Sequence, residues 1–344
     1  MLKLLDKLVA IPSPYPHEHQ LSDFVAQYVE RLGCDVQRIP TGDRNNLIVT
    51  TKESPHYLGF YTHLDTMPPA EDCSVDPYEL IVAGDVASGL GVCDSKGGMV
   101  AILEALEFAV KEGYPLKVVF CVDHQNYSQG AYDVIETGLL SDIDFLIFSE
   151  IGHAIDFNSK FSVVFGRNGR RVFDINITSL HAWDHPESAV FQAARFISQI
   201  KRLEEQLKER GDQAIVVMPD ALKADKRGQP VAGSTCYVRC NISTTPSFGE
   251  VEFRAWVEEQ TNLFEGRIDV RLHERPTPYL EAYQVDRNHE FVRCLEEELI
   301  RPHGVVPTTM PSVADENVFA AHGIPVVTIG AIGGGGHSSS EWIN

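Results

Sequence analysis

The order in which apolar runs and helix-period segments follow one another constrains this chain more than any single motif. Residues 116–122 and 145–148 are nearly unbroken apolar runs, the pattern of strands buried on both faces of a sheet. Shorter runs at 35–39, 46–50 and 57–62 are bounded by turn residues and read as further strands. Segments 2–10, 18–32 and 96–112 place apolar residues three and four apart, which predicts helices. Gly33 ends the second of these and Gly113-Tyr114-Pro115 the third. Strands alternating with helices predict a mixed α/β layered structure. Near Gly166 the pattern changes. Residues 171–179 alternate like a half-buried strand, 186–210 reads as a long helix, and 214–218 and 235–242 are strand-like. A helix at 248–261 and a strand at 268–272 complete the order of a ferredoxin-like sandwich. The α/β pattern then returns with a helix at 289–299 and an apolar run at 325–329. The expected fold class is α/β, with a mixed-sheet domain built from 1–164 and 274–344 and an α+β domain inserted at 165–273.

A chain of 344 residues exceeds what one hydrophobic core usually serves, in keeping with two domains. With 29 Lys and Arg against 49 Asp and Glu, the net charge of -20 repels phosphate backbones, so no nucleic-acid partner is expected. No apolar run is long enough to cross a bilayer. Lys3, Asp6 and Lys7 make the first segment an amphipathic helix rather than a leader peptide, so no membrane partner is expected either. The seven cysteines are odd in number and lack CxxC spacing, which favours free thiols and a reducing, cytoplasmic location.

Four segments carry chemistry. Thr62-His63-Leu64-Asp65 ends a buried strand, and two-residue spacing points His63 and Asp65 the same way, as a metal-bound imidazole and its orienting carboxylate would be. Gly89-Leu90-Gly91-Val92-Cys93-Asp94-Ser95-Lys96-Gly97-Gly98 makes a tight turn before a helix, with Asp94 as a metal-facing carboxylate or as a helix cap. Glu150 comes after the apolar run that ends in Phe148, as a zinc ligand or a solvated strand end. Gly333-Gly334-Gly335-Gly336-His337 suits a backbone that must approach a ligand closely. Singly each has a bland reading. Together, two imidazoles and two carboxylates near one sheet edge form a donor set that suits zinc.

These segments resemble, in order and spacing, the family of acetylornithine deacetylase, succinyl-diaminopimelate desuccinylase and carboxypeptidase G. The likeness runs from Leu4 to Ser13, through His63-Leu64-Asp65, the glycine-rich turn and Ser149-Glu150, to Ala314-Asp315, Gly323-Ile324-Pro325 and His337-Ser338-Ser339-Ser340-Glu341. It implies a zinc-exopeptidase-like catalytic domain and an inserted lid that also dimerises. His63 would bind a first metal with Asp65 behind it, Asp94 would bridge two metals from a cis peptide to Ser95, Glu150 would complete the first site, and His337 would bind the second. His181 would polarise the scissile carbonyl, in many relatives from across a homodimer, with His185 as the competing candidate. Gly334 is expected to line the substrate. The implied cofactor is one or two Zn2+, with Co2+ or Mn2+ as alternatives.

The chain departs from that family at its centre. Relatives carry Asp-Glu-Glu-x-Gly-Ser-x-Gly-Ala where this chain has Asp123-His124-Gln125-Asn126-Tyr127-Ser128-Gln129-Gly130-Ala131. The first Glu is the family's general base and the second a ligand of the second metal. His124 has an ordinary pKa suited to accepting a proton, or it becomes a ligand, or the site has decayed. Gln125 offers only a neutral amide oxygen, which weakens a second metal. The lid stretch 241–246 lacks the acidic residue and arginine of relatives, leaving Arg239 nearby as a substrate-carboxylate partner. Relatives continue into a closing helix where this chain reaches Asn344. The expected activity is metal-dependent hydrolysis of an amide bond in a small N-acyl amino acid or peptide. The alternative is a family member that binds an amino-acid-like ligand without cleaving it.

Overall fold

The computed structural model of the chain describes residues 1–71, 73, 75–150, 152–153, 162–182, 185–212, 217–224, 234–262, 264–330 and 332–344. Of the strand expected at 214–218, residues 214–216 lie outside the described residues. Two compact units emerge: Met1–Gly166 with Gln284–Thr309 and Ala314–Asn344, and Arg167–Tyr283 with Met310–Val313. The second unit thus takes in 274–283 and Met310–Val313, beyond the insertion read from the sequence pattern.

The first unit is built on a mixed nine-stranded sheet. Its strands run in the order Asp35–Thr41, Arg44–Thr50, Leu116–Cys121, Tyr57–His63, Ile143–Phe148, Val326–Ile329, Ser162–Arg167 and Tyr283–Gln284, with Val306–Met310 also paired to Ser162–Arg167. Tyr57–His63 pairs in parallel with both Leu116–Cys121 and Ile143–Phe148, and Val326–Ile329 extends the parallel block. Parallel strands need cover on both faces, and every residue of Leu116–Cys121 is buried. Helices Leu2–Val9, His19–Leu32 and Gly97–Glu112 bury Leu8, Val25 and Leu103 against Leu47, Val118 and Phe120. Phe145 and Val327 belong to a separate core with Val292 of helix Glu290–Leu295. That helix is shorter than the expected 289–299 because it passes into a wider turn at Glu296–Ile300.

A second, five-stranded sheet of the same unit has no counterpart in the sequence reading. It orders Ile81–Ala83, Val86–Ser88, Trp342–Ile343, Ile332–Gly334 and Gly152–His153. Strands of two or three residues carry no readable period, which is why they escaped notice. The sheet ties the glycine run before His337 to the segment after Glu150.

The second unit orders Val217–Ala224, Ser234–Thr244, Gly169–Ser179 and Arg267–Leu272 in one antiparallel sheet, with helices Ala189–Glu209 and Glu250–Thr261. Ile175 and Val238 face each other across the central pair, and both pack with Phe196 and Phe253 of the helices. The two-residue period of the strands therefore puts one sheet face under helices. Among the described residues, no helix is long and apolar enough to cross a membrane.

Candidate metal centre

Parallel strands end on the same edge of a sheet, so the residues just past each strand converge there. His63 is the last residue of Tyr57–His63, the His124-Gln125 turn comes after Leu116–Cys121, and Glu150 after Ile143–Phe148. The His63 ring is buried, with Nδ1 2.9 Å from the main-chain oxygen of Asp65 and 3.6 Å from its carboxylate. Its Nε2 lies 2.9 Å from Asp94 Oδ1.

Asp94 sits in the turn Val92–Lys96, and its peptide bond to Ser95 is cis. Three main-chain amides hold that turn: Gly91, Cys93 and Asp94 donate to the buried Glu341 carboxylate at 2.8, 2.8 and 2.9 Å. Two glycines are sterically required nearby. Gly91 adopts φ +79°, and a Cβ there would lie 2.7 Å from Thr66 Cγ2. A Cβ on Gly98 would lie 2.4 Å from Ser149 Oγ, so only glycine lets the helix start abut the Ser149-Glu150 turn.

The turn bearing His124 and Gln125 is fixed by carboxylates on both sides. Asp65 accepts the His124 and Gln125 amides at 3.2 and 2.7 Å, and Asp123 accepts those of Tyr127 and Gln129 at 3.3 and 3.0 Å. The His124 ring stacks on that of His63, centroids 4.0 Å apart and planes 4° from parallel. Its Nε2 is 3.2 Å from Glu150 Oε1 and its Nδ1 3.0 Å from Asp315 Oδ2. The Nδ1 contact is at ion-pair distance but off the line of a hydrogen bond, leaving a buried polar atom imperfectly served. Gln125 Nε2 donates to Asp94 Oδ2 at 2.9 Å, and His337 Nε2 is 2.8 Å from the same oxygen.

Charge shapes this cluster. Burial works against the ionised Asp94 carboxyl, yet His63 and His337 hold it well below the usual carboxylate range. Burial and the neighbouring His124 push the His63 imidazole down, and Asp94 and Asp65 outweigh them, keeping it up at about 10. Burial likewise opposes a charged His124, while Asp315 and Glu150 raise it. A divalent cation would displace these protons, because imidazole ligates only when neutral.

The donor set passes a test for one such cation. His63, His124 and Glu150 each present one ligand atom, all within 4.8 Å of one another. Around Asp94 Oδ2, a second position has His337 and only the amide of Gln125, a weak donor set.

The remaining candidates lie elsewhere. His181 and His185 stack at a centroid distance of 4.0 Å in the second unit, and His181 Nε2 lies 3.1 Å from Glu265. Arg239 Nε donates to Asp174 at 2.9 Å on the same unit's sheet. Gly334 lies in the small sheet, where a Cβ would lie 3.0 Å from the Trp342 indole nitrogen. Three residues at the centre had no role from sequence: Asp315, fully buried beside His124; Tyr61, whose hydroxyl donates to Asp315; and Glu341. Asp315 and Glu341 both fall inside the stretches that carry the family likeness, and that was their only signal.

Comparison with known proteins gives a family and a fold. A sequence model of peptidase family M20/M25/M40 matches residues 59–344. A succinyl-diaminopimelate desuccinylase from Sulfurimonas denitrificans is 22% identical, over 99% of this chain and 93% of its own. An N-formyl-4-amino-5-aminomethyl-2-methylpyrimidine deformylase from Halalkalibacterium halodurans is 33% identical over 31% of this chain and 27% of its own. A tripeptidase from Staphylococcus aureus shares the fold with a TM-score of 0.78 at 19% identity, covering 99% of this chain and 92% of that one. A dinuclear metal-binding M20 peptidase from Bacillus subtilis gives 0.71 at 16% identity, covering 100% and 92%.

Proposed function

Because the chain belongs to peptidase family M20/M25/M40, we propose that it is a metal-dependent hydrolase of an amide bond in a small N-acyl amino acid or peptide. The observation that carries this reading is the convergence of His63, His124 and Glu150, from separate parts of the chain, with ligand atoms within 4.8 Å of one another and Asp94 2.9 Å from His63 Nε2. A divalent cation held there would polarise the scissile carbonyl and acidify a water molecule. Asp65 holds the His63 ring with Nε2 facing inward, and Glu341 fixes the Asp94 turn. Nitrogen and carboxylate donors suit Zn2+, with Co2+ or Mn2+ as alternatives. From the second unit we assign His181 to the carbonyl, with His185 beside it, and Arg239 to a substrate carboxylate. Gly334 and a homodimer through the second unit belong to the same proposal. All seven cysteines are described and none forms a disulfide, in keeping with the reducing, cytoplasmic setting of this reading.

One observation favours a second reading, a member that binds an amino-acid-like ligand without cleaving it. The two positions after Asp123 hold no carboxylate; both nitrogens of His124 face carboxylates, and the Gln125 amide occupies Asp94. The two readings separate in one assay. Chelator-treated and zinc-restored protein is offered N-acetyl, N-formyl and N-succinyl amino acids and di- and tripeptides. Hydrolysis that returns with zinc supports the hydrolase. Calorimetric binding of the same compounds with no cleavage supports the binder.

A further inference from the structure

We propose that His124 is a metal ligand rather than a proton acceptor, that it completes a site for one divalent cation with His63 and Glu150, and that Asp315 positions it. The proposal rests on the metal-dependent reading above and assigns a ligand set for that centre.

The two imidazoles are arranged alike. Each has an aspartate at Nδ1: Asp65 behind His63, through its main-chain oxygen at 2.9 Å with the carboxylate at 3.6 Å, and the Asp315 carboxylate behind His124 at 3.0 Å. Each directs Nε2 to a carboxylate, Asp94 for His63 and Glu150 for His124. A carboxylate behind Nδ1 with Nε2 pointing inward is how proteins prepare a histidine to bind a metal. The ring planes lie 4° from parallel with centroids 4.0 Å apart, so for both Nε2 lone pairs to meet one cation the His124 ring must tilt until its plane contains the cation. Zinc at about 2.0–2.1 Å from each nitrogen would hold the pair roughly 3.3 Å apart, inside the 4.8 Å within which the ligand atoms of the cluster fall.

The same geometry argues against a proton acceptor. A general base needs a lone pair facing the water it deprotonates. In His124, Nδ1 is taken by Asp315 and Nε2 is the one nitrogen turned to the cluster, so a His124 that ligates has no lone pair left for a water. Asp315 is itself fixed, fully buried and taking the Tyr61 hydroxyl, while Tyr61 stacks on Phe148 at 3.9 Å. Asp315 is thus a rigid backstop for one imidazole. The site is limited to one cation because the position around Asp94 Oδ2 has an amide where a carboxylate is needed.

Zinc titration of the chelator-treated full chain by calorimetry, with metal analysis after dialysis, tests the stoichiometry. One equivalent per chain is expected. His124→Ala should lower zinc affinity at least about 100-fold, and Asp315→Asn by about 10–100-fold, as for other residues that orient ligands. Far-UV circular dichroism checks that both variants fold. Proton NMR of the Co2+-substituted wild type counts the ligating imidazoles, and the same spectrum of His337→Ala tells His124 from His337. Two exchangeable, paramagnetically shifted imidazole N–H signals are expected, from His63 and His124. Two tightly held equivalents, a single such signal, or unchanged affinity in folded His124→Ala overturns the ligand assignment alone. No binding of zinc or cobalt by the wild type overturns the metal-dependent reading itself, and this proposal with it.

Discussion

At the scale of the residue, the centre is governed by which carboxylates are present. Asp94 serves His63 with one oxygen and His337 and Gln125 with the other, so its two oxygens already divide the site in two. Gln125→Glu would supply the missing anionic donor on the second side. It is expected to raise bound zinc from one equivalent to two, read by metal analysis after dialysis. A variant that still binds one equivalent would show that something other than the amide limits that position. Glu341 acts on backbone rather than on metal. Glu341→Ala leaves three buried amides, those of Gly91, Cys93 and Asp94, without an acceptor. Each such loss typically costs about 1–3 kcal/mol, so a total of about 3–5 kcal/mol after partial relaxation is expected in urea unfolding. Sequence pattern could not foresee this, because His337-Ser338-Ser339-Ser340-Glu341 reads as a loop motif and the acceptor role depends on a turn about 250 residues earlier, as the Gly91–Glu341 bond shows.

At the scale of the element, the centre exists because parallel strands share one carboxyl edge. This much was legible: His63, Asp94, Glu150 and His337 each come after a strand-like run or a turn, and those runs became Tyr57–His63, the Val92–Lys96 turn, Ile143–Phe148 and Ile332–Gly334. The five-stranded sheet was not legible, since strands such as Trp342–Ile343 and Gly152–His153 are too short to show a period. Asp315 was missed for a related reason: it precedes a short helix, and only its burial beside His124 reveals its part. The tight seating of helix Gly97–Glu112 gives a test. Gly98→Ala forces a methyl to within 2.8 Å of the Ser149 main-chain oxygen, a clash that costs about 1–3 kcal/mol by analogy with overpacked cores. The expected signature is weakened zinc binding together with a lowered Tm, because the clash displaces the Glu150 turn. In the second unit, Asp174 accepts bonds from Tyr237, Arg239 and His273. Burial alone would raise its carboxyl, and these donors outweigh burial and hold it at about 2. Its folded-state pKa is depressed, so its stabilisation is present above the unfolded value of about 3.9 and fades as pH falls from about 4 to about 2. Asp174→Asn should therefore lower Tm at pH 7 and have little effect at pH 2. An equal loss at both pH values would contradict this.

At the scale of the whole molecule, two units with separate cores carry one strongly acidic chain. The mixed sheet and the ferredoxin-like order both derive from hydrophobic period, the most robust signal a sequence holds. What that period cannot convey is the pairing of side chains from distant segments, such as His124 stacked on His63. The net charge of -20 implies self-repulsion that salt would screen. Raising monovalent salt from about 20 to 200 mM at pH 7 should stabilise the chain by about 1 kcal/mol, a Tm rise of roughly 1–2 °C for a protein of this size. The most direct measurement is anomalous diffraction at the zinc edge from crystals grown with zinc. A single strong peak about 2.0–2.2 Å from His63 Nε2 and a Glu150 oxygen, inside the acidic and imidazole cluster, is the predicted result. Zinc bound only at surface residues, with His63 and Glu150 left without metal, would contradict it.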